Sequence, residues 1–83
     1  MNVRLHPHAK QRMLDRGATE TMIIPAVQGG SSFPAKYGRT GFRRVFAYDT
    51  AWRGRQYANV KLEAIAVQDA GDWLVLTVIV KFF

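Results

Sequence analysis

The sequence predicts an α+β domain, with two N-terminal helices packed on a three- to four-stranded antiparallel sheet laid out as a meander. Three observations carry this expectation. Up to Gly30 the apolar residues recur at helical spacing, first Ala9 and Met13, then Met22, Ile23, Ala26 and Val27. After Gly30 the period changes to two, with alternation from Arg43 to Tyr48 and from Val60 to Gln68. Near the end, Asp69-Ala70-Gly71-Asp72 is a tight hairpin signal between two apolar runs. The 83 residues are read as one domain.

In chain order, Asn2 to Leu5 is a short extended lead-in that stops at the His6-Pro7 step. The first helix runs from Pro7 to Arg16. Proline suits the first turn, where its missing N–H is not needed, and Gly17 suits the left-handed position just past the end. His8, Arg12 and Arg16 recur every four residues and therefore lie along one side, beside the strip of Ala9 and Met13. Thr19 is a candidate N-cap for the second helix, with Glu20 well placed in its first turn and Gly29-Gly30 as its stop. Pro25 lies past that first turn and removes a backbone bond, so a kink or a restart is expected there.

Ser32 to Tyr37 reads as a first strand that Pro34 confines to an edge or a bulge, and Gly38 to Gly41 as a turn. Arg43 to Tyr48 is the next strand. Asp49 to Asn59 is polar and basic, and reads as a loop carrying Trp52 and Tyr57. In the strand from Val60 to Gln68, Leu62, Ala64 and Ala66 share one face. Trp73 to Lys81 is the most hydrophobic segment and so a central strand, with Leu74, Leu76, Val78 and Val80 assigned to one face. Trp73, Val75, Thr77 and Ile79 fall on the other.

Charge is the first functional clue. The chain carries +6 with a pI near 10.3. Six cations (Lys36, Arg39, Arg43, Arg44, Arg53 and Arg55) oppose the single anion Asp49 in the middle segment. Excess positive charge captures polyanions, and arginine can grip two phosphate oxygens at once. The absence of cysteine excludes disulfides, thiolate metal sites and cysteine nucleophiles. His6 and His8, separated by one proline, make a poor metal clamp, so no metal and no cofactor are expected. No nucleophile elbow, phosphate loop or dinucleotide loop occurs. The N-terminal residues lack the apolar run of a signal peptide, and no segment is long enough to span a bilayer. A cytoplasmic protein without a membrane partner is expected.

What remains is imidazole, guanidinium and aromatic chemistry. Metal-free RNA cleavage needs a base for the 2′-hydroxyl proton, an acid for the leaving oxygen, and cations for the crowded phosphate. Histidine serves either proton role near neutrality. The competing reading of His8 is a packed helix-start histidine. For Arg12 and Arg16 it is surface charge, and for Thr77 β-propensity alone.

At these residues the chain resembles a known family. The pattern His8-x-x-x-Arg12-x-x-x-Arg16-Gly17, then Thr19-Glu20 and an apolar helix ending in glycine, looks like the start of the DUF4258 family. Lys36-Tyr37-Gly38-Arg39 and the closing Trp73-Leu-Val-Leu-Thr77 strand also fit. The resemblance covers nearly the whole chain and departs at Ala18 and Pro25, both packing positions. It implies a small α+β fold of the barnase–EndoU–colicin–RelE type and a ribonuclease toxin held by an acidic antitoxin or immunity protein. It marks His8, Arg12 and Thr77 as catalytic positions, with Arg16 and Tyr37 as weaker ones. The expected substrate-binding set is Arg16, Tyr37, Arg39, Arg43, Arg44, Arg53 and Arg55, with RNA as the substrate and no small-molecule cofactor. The alternatives are a non-catalytic module that binds nucleic acid or an acidic protein, and a plain structural domain.

Overall fold

The computed structural model describes residues 2–83. The elements are β1 (Val3–Leu5), α1 (Pro7–Arg16), α2 (Glu20–Gly29), β2 (Ser31–Pro34), a 3-10 turn (Lys36–Gly38), β3 (Thr40–Trp52), β4 (Arg55–Asp69) and β5 (Asp72–Phe82). The α+β class holds, and both helices precede the main run of strands. The sheet is larger than expected and mixed: five strands in the order β1-β5-β4-β3-β2, with β1 parallel to β5 and every other pair antiparallel. The lead-in is thus a strand. Arg4 secures it by donating to Asp69 and Asp72 at 2.9 and 3.1 Å, across the base of the β4–β5 turn. The hydrogen bond to Asp69, opposed by some desolvation, holds this guanidinium above its ordinary pKa.

Helix α1 has the predicted limits. His6 occupies the N-cap, its Nδ1 accepting the His8 N–H at 3.1 Å, and Gly17 closes the helix at φ 76°. Helix α2 runs as one segment through Pro25. Thr19 stands at its N-cap position, but its hydroxyl pairs with that of Thr21 at 2.8 Å and makes no cap bond.

The core lies between the helices and one face of the sheet. Ala9, Ala18, Ile23, Ala26 and Val27 meet Phe42, Leu62, Ala64, Ala66, Val75 and Val78. Alanines on both sides let helix and sheet backbones approach closely, and the larger Ile23 and Leu62 fill the centre with no measurable exposure. Burying a side chain such as Leu62 contributes about 2 kcal/mol.

Three segments differ from expectation. The first strand ends at Pro34, because Lys36–Gly38 closes a 3-10 turn with Tyr37 at φ 62°, while Thr40 and Gly41 already belong to β3. The segment expected as a loop, Asp49 to Asn59, is instead the end of a long hairpin. A bulge at Tyr48-Asp49 is followed by renewed pairing to Trp52↔Arg55, with Arg53 and Gly54 at φ 52° and 80° forming the turn. Backbone pairing extends the arm, and only scattered residues along it, chiefly Trp52 and Tyr57, are half-buried, so the sequence shows no regular alternation there. Finally, β5 contains a bulge: Ile65 pairs with Thr77 but Ala66 pairs with Val75, leaving Leu76 as the extra residue. The face assigned to Leu74, Leu76, Val78 and Val80 therefore does not exist as one face. Val75 and Val78 are both buried, although three positions apart.

The hairpin arm packs back on α1. Trp52 lies so close to Gly17 that a Cβ added there would sit 2.9 Å from its ring, and Arg53 Nη2 donates to the Asp15 carbonyl at 2.8 Å. Tyr48, Trp52 and Tyr57 gather around Phe82, with ring centroids 5.0, 5.6 and 5.4 Å from it. No helix among the described residues is long and apolar enough to cross a membrane.

Candidate functional site

The site arises from the shortness of β1. This strand pairs with β5 only from Trp73 to Val75, so the rest of β5 has no strand on that side. Helix α1 fills the gap. The His6 N–H donates to the Val75 carbonyl at 2.9 Å, and Arg16 Nη1 donates to the Val78 carbonyl at 2.6 Å. Both bonds satisfy carbonyls at the edge that would otherwise lack a partner. The helix turns Ala9 into the core and leaves His8, Arg12 and Arg16 directed past the sheet edge.

On that edge the Leu76 bulge sets the phase of β5. Val78 turns into the core, while Thr77 falls opposite Ile65 on the face away from the helices. The polar stripe of α1 and the open-face residue Thr77 thus meet around the edge of the sheet. Between them is an open cleft of about 660 Å³. Its walls are His6, His8, Arg12 and Arg16 from the helix side, Leu76, Thr77 and Ile79 from β5, and Arg39 from just past the 3-10 turn. Every ionisable lining residue is basic or an imidazole, so the cleft focuses positive potential.

Within the cleft Arg12 Nε donates to His8 Nε2 at 3.4 Å, a long bond. Arg12 and Arg16 are half-buried, and Arg16 is held by its carbonyl bond with other N–H groups left for a ligand. Among the described residues, none of the side-chain hydrogen bonds engages the Thr77 hydroxyl; those of the site are made by Arg12 and Arg16. Five residues singled out in the sequence come together here: His8, Arg12, Arg16, Arg39 and Thr77.

The others lie elsewhere. Tyr37 is 87% exposed, beside Arg39 but outside the cleft walls. Arg43 pairs with Glu63 at 3.1 Å on the open face. Arg44 reaches the Pro25 carbonyl at 3.4 Å. Arg53 serves the C-terminus of α1, and Arg55 lies over Tyr57 at 5.7 Å. The two-residue separation of His6 and His8 argues only against a metal clamp, and so passes over His6 as a cleft residue. The signal for it was its place at the helix N-cap. With Nδ1 committed to the His8 N–H, its Nε2 remains for a ligand. No cluster of three or more His, Cys, Asp or Glu side chains forms among the described residues.

Such an arrangement can hold a tetrahedral anion between guanidiniums, with an imidazole and a hydroxyl within the same cleft. Compared with protein-family models, curated proteins and solved structures, the chain matches none of them.

Proposed function

We propose that this chain is a metal-independent RNA endonuclease toxin of the DUF4258 type, acting in the cytoplasm and neutralised by an acidic antitoxin or immunity protein. One observation carries the reading: His8, Arg12, Arg16, Arg39 and Thr77, drawn from three separate parts of the chain, converge on one basic cleft. In this reading His8 is a proton-transfer group, and Arg12, Arg16 and Arg39 hold the phosphate. When the phosphate enters, Arg12 exchanges its long bond to His8 for a charge-assisted one to a phosphate oxygen. His8 Nε2 is then free to take the 2′-hydroxyl proton. The 2′-oxygen attacks phosphorus, the bond to the 5′-oxygen breaks to leave a 2′,3′-cyclic phosphate, and solvent water in the open cleft supplies the proton that the departing 5′-oxygen takes up. Thr77 donates a hydrogen bond to the phosphate as its charge redistributes.

The test is induced expression together with cleavage by the purified protein in the presence of a chelator. Wild type should arrest growth and degrade RNA, and His8→Ala should cut at least ~100-fold more slowly, the usual scale of acid–base catalysis. Equal cleavage by His8→Ala would remove His8 from the mechanism. A second reading has its own support, since Arg12 and Arg16 both already have partners within the protein. A non-catalytic module would bind a polyanion in a salt-sensitive way without cleaving it.

A further inference from the structure

A second depression adjoins the cleft, and Arg39 lines both. The two differ in chemistry. The second, of about 410 Å³, is walled mainly by Phe33, Pro34, Gly38 and Thr40. The tip of the Phe33 ring lies over Gly41, its partner across the β2–β3 ladder, where any Cβ would meet the ring at 2.2 Å, and the Arg43 guanidinium lies 4.7 Å from the ring centroid. The ring is held on the open face rather than in the core.

At the rim stands Tyr37. It is 87% exposed and sits at φ 62°, a left-handed conformation that side-chain-bearing residues rarely adopt. Its ring lies 5.5 Å from the Arg39 guanidinium. Folding gains almost nothing from an aromatic ring left in water, and glycine would relieve the backbone. A strained, exposed tyrosine beside a ligand-facing arginine has the character of a functional residue.

We propose that the second depression is a subsite for an unpaired nucleobase, next to the nucleotide whose phosphate occupies the histidine–arginine cleft. The base packs against the edge of Phe33 that lines the depression, Arg39 bridges from base to phosphate, and Tyr37 stacks on the exposed side. A base in a duplex has both faces covered by its neighbours and cannot enter, so the ligand is single-stranded. This inference rests on the reading of the cleft as a phosphate site. It gains from the charge of the chain, +6, with six cations against one anion between Lys36 and Arg55.

The experiment is fluorescence anisotropy with a labelled 2′-deoxy oligonucleotide, which lacks the attacking hydroxyl, as a single strand and as a duplex. Wild type should prefer the single strand. Tyr37→Gly and Phe33→Ala should each weaken single-strand binding by about 5- to 150-fold, the range for losing one stacked base, and leave duplex binding unchanged. Tyr37→Gly should melt no lower than wild type, which separates loss of binding from loss of fold. Unchanged single-strand affinity in Tyr37→Gly, no strand preference in the wild type, or no binding of either strand would each overturn the subsite. Cleavage of the matching RNA is measured separately. Base-dependent binding without cleavage keeps the subsite and removes the endonuclease, and cleavage with stacking-independent affinity does the reverse.

Discussion

Thr77→Val removes one hydroxyl and changes little else. Valine has nearly the same shape and the same branching at Cβ, so it suits a strand at least as well as threonine does. Thr77 is half-buried on the cleft wall, and no bond within the site engages its hydroxyl. The substitution therefore leaves no protein group unpaired, and stability should stay within about 0.5 kcal/mol of wild type. A hydrogen bond to a charged phosphate contributes about 1.5–3 kcal/mol. At 1.36 kcal/mol per factor of ten, its loss from the transition state slows cleavage by about 10- to 150-fold. Urea titration measures the first quantity, and cleavage of a short RNA measures kcat/KM for the second. Wild-type kcat/KM in a stable Thr77→Val protein would refute the role given to the hydroxyl and leave Thr77 as a strand residue only.

Further outcomes follow from the same geometry. Gly17→Ala should destabilise the fold by about 1–2 kcal/mol from its positive φ alone, and more because the new Cβ would meet Trp52 at 2.9 Å; thermal melting checks this. His6→Asn should keep the N-cap whereas His6→Ala loses about 1 kcal/mol of it, so an equal loss of cleavage in both would assign the effect to the imidazole. Arg53→Ala should lower the melting temperature by releasing the arm from Asp15, with RNA affinity little changed, because this arginine lies outside the cleft. Removing the cleft charge in Arg39→Ala should reduce the salt slope of single-strand binding by about 0.7, as expected for one phosphate contact.

Much of the candidate site was legible in the sequence because it sits on a helix. Pro7, Gly17 and the four-residue repeat of His8, Arg12 and Arg16 are local signals, and each has the predicted place. Arg39 and Thr77 carried weaker signals, and nothing local could place them beside that helix. His6 was passed over because it was weighed only as a metal ligand beside His8. The arm from Asp49 to Asn59 was read as a loop because only Trp52, Tyr57 and Asn59 along it are half-buried, which leaves no regular two-residue alternation to read. Its one usable signal was Arg53-Gly54, an x-Gly turn with both φ positive.

The last strand shows where sequence alone stops. From Trp73 to Val80 nearly every residue is apolar, so both phases of a two-residue period look equally buried. A single extra residue, Leu76, is then invisible, although it decides that Thr77 looks outward while Val78 looks in. The sequence by itself determined the α+β class, the limits of α1, the Asp69–Asp72 turn and the basic stripe, all of which are short-range. Tertiary structure alone decided the parallel seat of β1, the bulge in β5 and the position of α1 along the free edge. The first and last depend on pairings between residues more than sixty positions apart, such as Arg16 with Val78, and the bulge on the register of β4 against β5. Local propensity does not encode them, because their stabilisation comes from contacts that exist only once the chain has closed on itself.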